Sequence, residues 1–180
     1  MTAISGTFAD PARDGARAFR AILDAMARPG RIQPIDGPNA GELSPAAAAI
    51  LLTLADTDAP VWLANDAARP WLSFHCGAPM ADKSECMFAV GRWESLAPLD
   101  PYQPGTPDFP DRSATLIVEM DELTAEGAAL SGPGIDGTIS LSLPDPAAMR
   151  ASNARFPLGL DFILCAGSSV ACLPRSTRIA

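Results

Sequence analysis

Among 180 residues there is one lysine, Lys83, and one histidine, His75. That scarcity removes whole classes of chemistry. A Schiff-base mechanism would have to run through Lys83. A histidine-rich metal site or an HExxH motif has no second histidine to use. The four cysteines, Cys76, Cys86, Cys165 and Cys172, are separated by 9, 78 and 6 residues. None of these is a zinc or redox spacing, so they read as reduced, small core residues. No apolar run approaches the roughly 18 residues of a membrane span. The start, "MTAISGTFADPARDG", lacks the basic and apolar stretches of a signal peptide, and the expected location is the cytoplasm. Positive charge is also short: 13 Lys and Arg stand against 21 Asp and Glu, a net charge of −8. That balance speaks against nucleic acid and against anionic membrane as partners. No G-x-S-x-G elbow occurs and no P-loop surrounds Lys83. Asp108 and Asp111 lack the spacing of a calcium loop.

What is present is an ordinary globular balance, 48% hydrophobic and 19% charged, long enough to bury one core and suggesting a single domain over residues 1–180. "DPARDGARAFRAILDAMARPG", 10 to 30, predicts a helix. Asp10 caps it, Pro11 opens it and Pro29-Gly30 stops it, while Ala16, Phe19, Ile22, Leu23 and Met26 form an apolar face. Arg13, Arg17, Arg20 and Arg28 read as its solvated flank. "SP", 44 to 45, starts a second helix, and "DPAAMRASNARF", 145 to 156, a third. Short apolar runs predict strands at 60–64, 71–76, 86–91, 113–120 and 138–144. A hairpin is predicted from 160–165 and 170–173 around "AGSS". Four prolines make "DPYQPGTPDFPDR", 100 to 112, a loop. The alternation of helices and strands indicates an α/β class.

"SGPGIDG", 131 to 137, has the spacing G-x-G-x-x-G. A dinucleotide fingerprint needs a helix to open on the last glycine. Here the alternating "TISLSLP" follows, which is a strand pattern, and Pro133 removes an N–H from the would-be cradle. Gly132, Pro133 and Gly134 therefore read as a structural turn. His75 and Cys76, adjacent on an expected strand, would point to opposite faces and could not act as a base and nucleophile pair. Arg155 in "NARFPLG" and Arg175 in "LPRSTRI" each end an element, where an arginine can grip phosphate or carboxylate. Arg155, Arg175 and His75 are the candidate ligand-binding residues. No residue qualifies as catalytic, cofactor-binding or metal-ligating.

Four segments taken in order, "FRAILDAMARPG", "LSGPGIDG", "NARFPLGLDFIL" and "LPRSTRI", resemble the PhnH family, the H subunit of the bacterial carbon–phosphorus lyase system. "LLTLADTDAPVWL", 51 to 63, shares the family's character, so the similarity spans nearly the whole chain. The resemblance implies a mainly structural or co-catalytic subunit in a core complex with sister subunits G, I and J. That machinery converts an alkylphosphonate and MgATP into a ribose 1-phosphonate 5-triphosphate, before radical cleavage of the C–P bond in another subunit. It also implies a homodimer when the chain is alone. The implied fold is a three-layer α/β/α sandwich with a mixed sheet, similar to a reduced pyridoxal-phosphate transferase lacking its cofactor. The competing expectation is a stand-alone small-molecule enzyme with a phosphate- or carboxylate-binding pocket near Arg155 and Arg175.

Overall fold

The computed structural model describes residues 5–180. Four parallel strands form its centre: β2 (Val61–Leu63), β3 (Phe88–Arg92), β4 (Thr115–Glu119) and β7 (Asp161–Ala166). Their sequences, "VWL", "FAVGR", "TLIVE" and "DFILCA", are nearly continuous apolar runs, as strands covered on both faces must be. β8 (Ser169–Leu173) returns antiparallel to β7, and β1 (Gln33–Pro34) pairs antiparallel with β8. The result is a mixed six-stranded sheet in the order β1-β8-β7-β4-β3-β2. Ile117 lies in register with Val90 and Ile163, and Leu116 with Ala89 and Phe162. Successive side chains point to opposite faces, so one register builds two cores.

Ile117, Val90, Ile163 and Cys172 pack with Ile22, Ala25, Ile50, Leu51 and Leu72. These come from α1 (Pro11–Ala27), α2 (Pro45–Leu54) and α3 (Arg69–His75). Leu116, Val118, Phe162 and Leu164 face the other way, towards Leu96, Met149, Leu130 and Leu141. On that side α4 (Trp93–Leu96) and α5 (Pro146–Asn153) share the layer with a small antiparallel sheet. Its order is β6 (Ile139–Leu141), β5 (Ala128–Ser131), β9 (Arg178–Ile179). The outer layer there is part helix and part sheet. No helix among the described residues is long and apolar enough to cross a membrane.

The three longer helices begin alike. The Asp10 carboxylate accepts from the Arg13 N–H at 3.2 Å, Ser44 Oγ from Ala47 at 3.2 Å and Asp145 Oδ1 from Ala148 at 2.9 Å. A proline follows each cap, where its missing N–H costs nothing. The structure departs from the expected elements in three places. "WLSFHC" is helical, not a strand: Pro70 opens α3, and Trp71 and Leu72 are buried while Ser73 and Phe74 are exposed. His75 therefore does not oppose Cys76 across a sheet; they are neighbours on one helical turn, and the opposite-face argument falls. On α1 the buried stripe is Ala18, Ile22 and Ala25, which leaves Phe19 51% and Leu23 55% exposed. Within the predicted strand 138–144 only Ile139–Leu141 pairs, while the acidic stretch before it ends in β5.

The turn after β5 folds onto the end of α1. Gly132 and Gly134 have φ of 127° and 81°, and the Ile135 N–H donates to the Gly132 carbonyl at 3.1 Å. A Cβ on Gly134 would run into the Ala27 carbonyl, whereas one on Gly132 would stop 3.2 Å from the Ser176 carbonyl. Both carry left-handed strain if substituted, and Gly134 adds a backbone clash. Gly134→Ala should lower stability by about 2 kcal/mol or more and Gly132→Ala by about 1 kcal/mol. Denaturant unfolding measures both, and wild-type midpoints for the pair would contradict the turn geometry.

Candidate functional site

Arg175 sits in the turn between β8 and β9, which the Thr177 N–H closes on the Pro174 carbonyl at 2.9 Å. Its backbone N–H and Nε donate to Asp161 Oδ1 at 2.8 and 3.1 Å, and Nη2 donates to Oδ2. Nη1 donates to the Pro110 carbonyl. The two side chains are only 15% and 17% exposed. A guanidinium held by both carboxylate oxygens and a carbonyl is pinned in one orientation. It ties the start of β7, the Pro-rich loop and the β8–β9 turn together.

Beside this clamp opens a cleft of about 430 Å³, lined by Arg150, Asn153, Phe156, Arg175, Thr177 and Arg178 among others. Asn153 Nδ2 donates to the carbonyls of Pro174 at 3.3 Å and Thr177 at 2.9 Å, fastening α5 to the turn. Asn153 Oδ1 and Thr177 Oγ1 are buried and have no hydrogen-bond partner. Arg150 and Arg178 are exposed and make no ion pair among the described residues.

Arg155 follows α5 and lines a different cleft of about 420 Å³, with Trp93, Leu99, Asp100, Asp145 and Leu160. His75 lies across the sheet on α3, its ring 5.4 Å from Trp71 and 4.9 Å from Phe74 between centroids, with Nε2 buried and unpartnered. The three candidate ligand residues are thus not one site. Arg155 and Arg175 flank the end of α5 in adjacent clefts, and His75 is on the opposite layer. Sequence reasoning missed Arg150 and Arg178. The available signal was position: Arg178 lies in "LPRSTRI" three residues after Arg175, and Arg150 lies on the predicted helix five residues before Arg155.

Open α/β sheets hold ligands beyond the carboxyl ends of their parallel strands. Here Glu119, at the end of β4, accepts from the Ser44 N–H at 2.8 Å. The chain's own carboxylate thus occupies the N-terminus of α2, where an anionic ligand would sit. Next to it the exposed Arg92–Asp121 pair, at 2.6 Å, holds the Asp121 carboxyl below its usual range. Lys83 is also engaged. Nζ donates to the carbonyls of Ser95 at 2.7 Å and Leu96 at 3.1 Å, and lies 4.6 Å from the Trp62 ring centroid. Burial pushes its pKa down. Burial pushes the thiols up, Cys76 and Cys86 to about 11 and Cys165 to about 12, with Cys172 raised further. None is a thiolate nucleophile near neutral pH. Among the described residues no three His, Cys, Asp or Glu side chains gather as a metal site.

The family described as "Bacterial phosphonate metabolism protein (PhnH)" matches residues 6–180. A Rhizobium meliloti (strain 1021) protein, "Alpha-D-ribose 1-methylphosphonate 5-triphosphate synthase subunit PhnH", is 39% identical over 97% of this chain and 94% of its own length. A Stutzerimonas stutzeri protein, "Putative C-P lyase subunit protein HtxG", is 31% identical over 90% of this chain and 84% of its own.

Two outcomes follow from the way these groups are held. Arg175→Met leaves Asp161 without its cation and should destabilise the fold by about 3 kcal/mol or more. Arg155→Gln, which breaks no ion pair, should stay within about 0.5 kcal/mol of wild type. Urea titrations compare the two, and equal midpoints would refute the clamp. The thiols give a pH dependence. Their folded pKa values lie above an unfolded value near 9, so their contribution is complete below pH 9 and is lost as pH rises towards 11–12. The melting temperature should fall steadily above pH 9. Replacing Cys165 and Cys172 by Ala and Val should flatten that decline, and an unchanged slope would contradict it.

Proposed function

This chain belongs to the PhnH family, and from that premise we propose that it works as a subunit of the carbon–phosphorus lyase core complex in phosphonate catabolism. In that role it supports the formation of ribose 1-methylphosphonate 5-triphosphate, and its part is mainly structural or co-catalytic. The observation that carries the reading is the likeness to the synthase subunit, 39% identical across 97% of the chain. The chemistry of the molecule agrees with it. Lys83 is bound to two carbonyls, Arg175 to Asp161 and Pro110, Glu119 to the α2 terminus, and the thiols are protonated. The one lysine, the clamp arginine and the thiols are thus spent on holding the fold or held protonated.

The partners proposed are the sister subunits G, I and J, with a homodimer when the chain is alone and the cytoplasm as its compartment. Residues 1–180 would act as one unit. Phe19 and Leu23 on α1 supply an apolar surface that assembly would cover. The mixed sheet with helices on both faces supports a kinship with the pyridoxal-phosphate transferases in reduced form, without the cofactor. The engagement of Lys83 gives such a cofactor no free amine to join.

Affinity-tagged chain, co-expressed with the G, I and J subunits from the same source, should bring all three through gel filtration in one peak. On its own it should show no turnover of methylphosphonate with MgATP. A chain that elutes apart from the three at micromolar concentration would overturn the assembly role. Turnover by the isolated chain would favour a stand-alone enzyme.

A further inference from the structure

The cleft between α5 and the β8–β9 turn brings together three arginines of this acidic chain. Arg150, Arg175 and Arg178 line it, and no Asp or Glu does. Asp161 answers Arg175 from behind, which leaves two net positive charges in a molecule of net charge −8. Charges of one sign held in a concave wall concentrate their field on whatever enters.

The wall is built rather than incidental. Arg175 is fixed by Asp161 and Pro110, so the turn that carries Thr177 cannot drift. Arg178 is set by β9, whose backbone pairs Arg178 with Ser131. Arg150 projects from α5, which Asn153 fastens to the same turn. Two polar atoms at the base have no partner. Asn153 is 7% exposed and Thr177 1%, yet Asn153 Oδ1 and Thr177 Oγ1 make no hydrogen bond. Buried polar atoms are almost always satisfied, so an orphan beside a cleft calls for a partner such as a bound anion or an ordered water. The hydroxyl can donate to an oxyanion, and the amide oxygen can accept from a hydroxyl on the same group. A hydrogen-phosphate or hydrogen-phosphonate group offers both, while a fully ionised carboxylate offers only the first. Phe156, 61% exposed, and Pro133 line the same cleft and give it an apolar wall.

We infer that this cleft, through Arg150, Arg178 and Thr177, binds a phosphorus oxyanion carried on an organic group, either a phosphate monoester or a phosphonate. The flat acidic surface of a partner protein would meet the two arginines but would not reach the buried Thr177 and Asn153. The site stands with or without the partner subunits, so it can be tested on the isolated chain.

The test is calorimetric titration of the full chain at fixed ionic strength with inorganic phosphate, phenyl phosphate and phenylphosphonate. All three should bind saturably, and the two phenyl compounds more tightly than phosphate, a gain that Phe156→Ala removes. If phenyl phosphate binds and phenylphosphonate does not, the ligand is an ester; the reverse result assigns a phosphonate. Arg150→Gln with Arg178→Gln should weaken binding at least tenfold. Arg13→Gln with Arg17→Gln, an equal charge change on α1, should leave it unaltered. No saturation at tens of millimolar, equal competition by chloride, equal loss in both double variants, or binding of polyglutamate alone would each overturn the site. Should the Arg150/Arg178 variant fail to fold, hydrogen exchange on the wild type decides. Phosphate should protect residues 150–156 and 174–179, and unchanged exchange there refutes the inference.

Discussion

Burial of the four parallel strands on both faces is the constraint on which the rest depends. A parallel sheet has no solvent-facing side, so the residues of β3, β4 and β7 other than those at the strand ends need a neighbour above or below. On one side three helices meet that need, and the alanines of α2, buried from Ala46 to Ala49, let it lie close against the strands. On the other side the helices are short, four residues in α4 and eight in α5. Their shortfall is made up by the small sheet and by Tyr102, whose hydroxyl donates to the Leu96 carbonyl at 3.0 Å. β5, β6 and β9 bring Leu130, Leu141 and Ile179 to the cluster around Leu116, Phe162 and Leu164.

That arrangement explains where the reactive groups went. Covering the second face with short, irregular elements leaves many backbone carbonyls without helical partners. Lys83 satisfies those of Ser95 and Leu96, and Arg175 satisfies that of Pro110. Glu119 does the reciprocal service for an N–H of the α2 terminus. Each of these side chains would be a natural participant in catalysis if it were free. Each instead holds an element end. A subunit whose chemistry is assigned elsewhere in an assembly can spend its few cations in this way.

The electrostatics sharpen the contrast between the two ends of the molecule. At the carboxyl ends of the strands, Glu119 is bound to the Ser44 N–H, Asp121 to Arg92 and Glu42 to Asn65. At the far side of α5, Arg150 and Arg178 stand without counter-ions among the described residues. An anion approaching the usual ligand site of an α/β sheet would find the α2 terminus already taken by Glu119, and one approaching the α5 cleft would meet arginines with no lining carboxylate.

The helix starts were legible because Asp-Pro or Ser-Pro states a cap and a first turn locally, and the parallel strands because apolar runs such as "TLIVE" and "DFILCA" have only one comfortable place in a folded chain. Family membership was legible in four short motifs in order. The α3 segment was not, since a six-residue run with four apolar side chains suits a strand or a buried helix equally, and only the burial of Trp71 and Leu72 in the core that holds Ile50 and Leu51 settled it. Phe19 and Leu23 lie outside the buried stripe because α1's apolar face is wide, and the sheet it meets selects which part is buried. The paired strands β5 and β9 are too short to carry a pattern. Arg175 and Arg155 look alike in sequence, each an arginine ending an element. Asp161, 14 residues before Arg175 in the chain, binds one and not the other. Sequence thus determined local conformation and the supply of charge. Tertiary structure alone decided which charges are cancelled, because Coulomb pairing depends on distance in space, which the order of residues does not record.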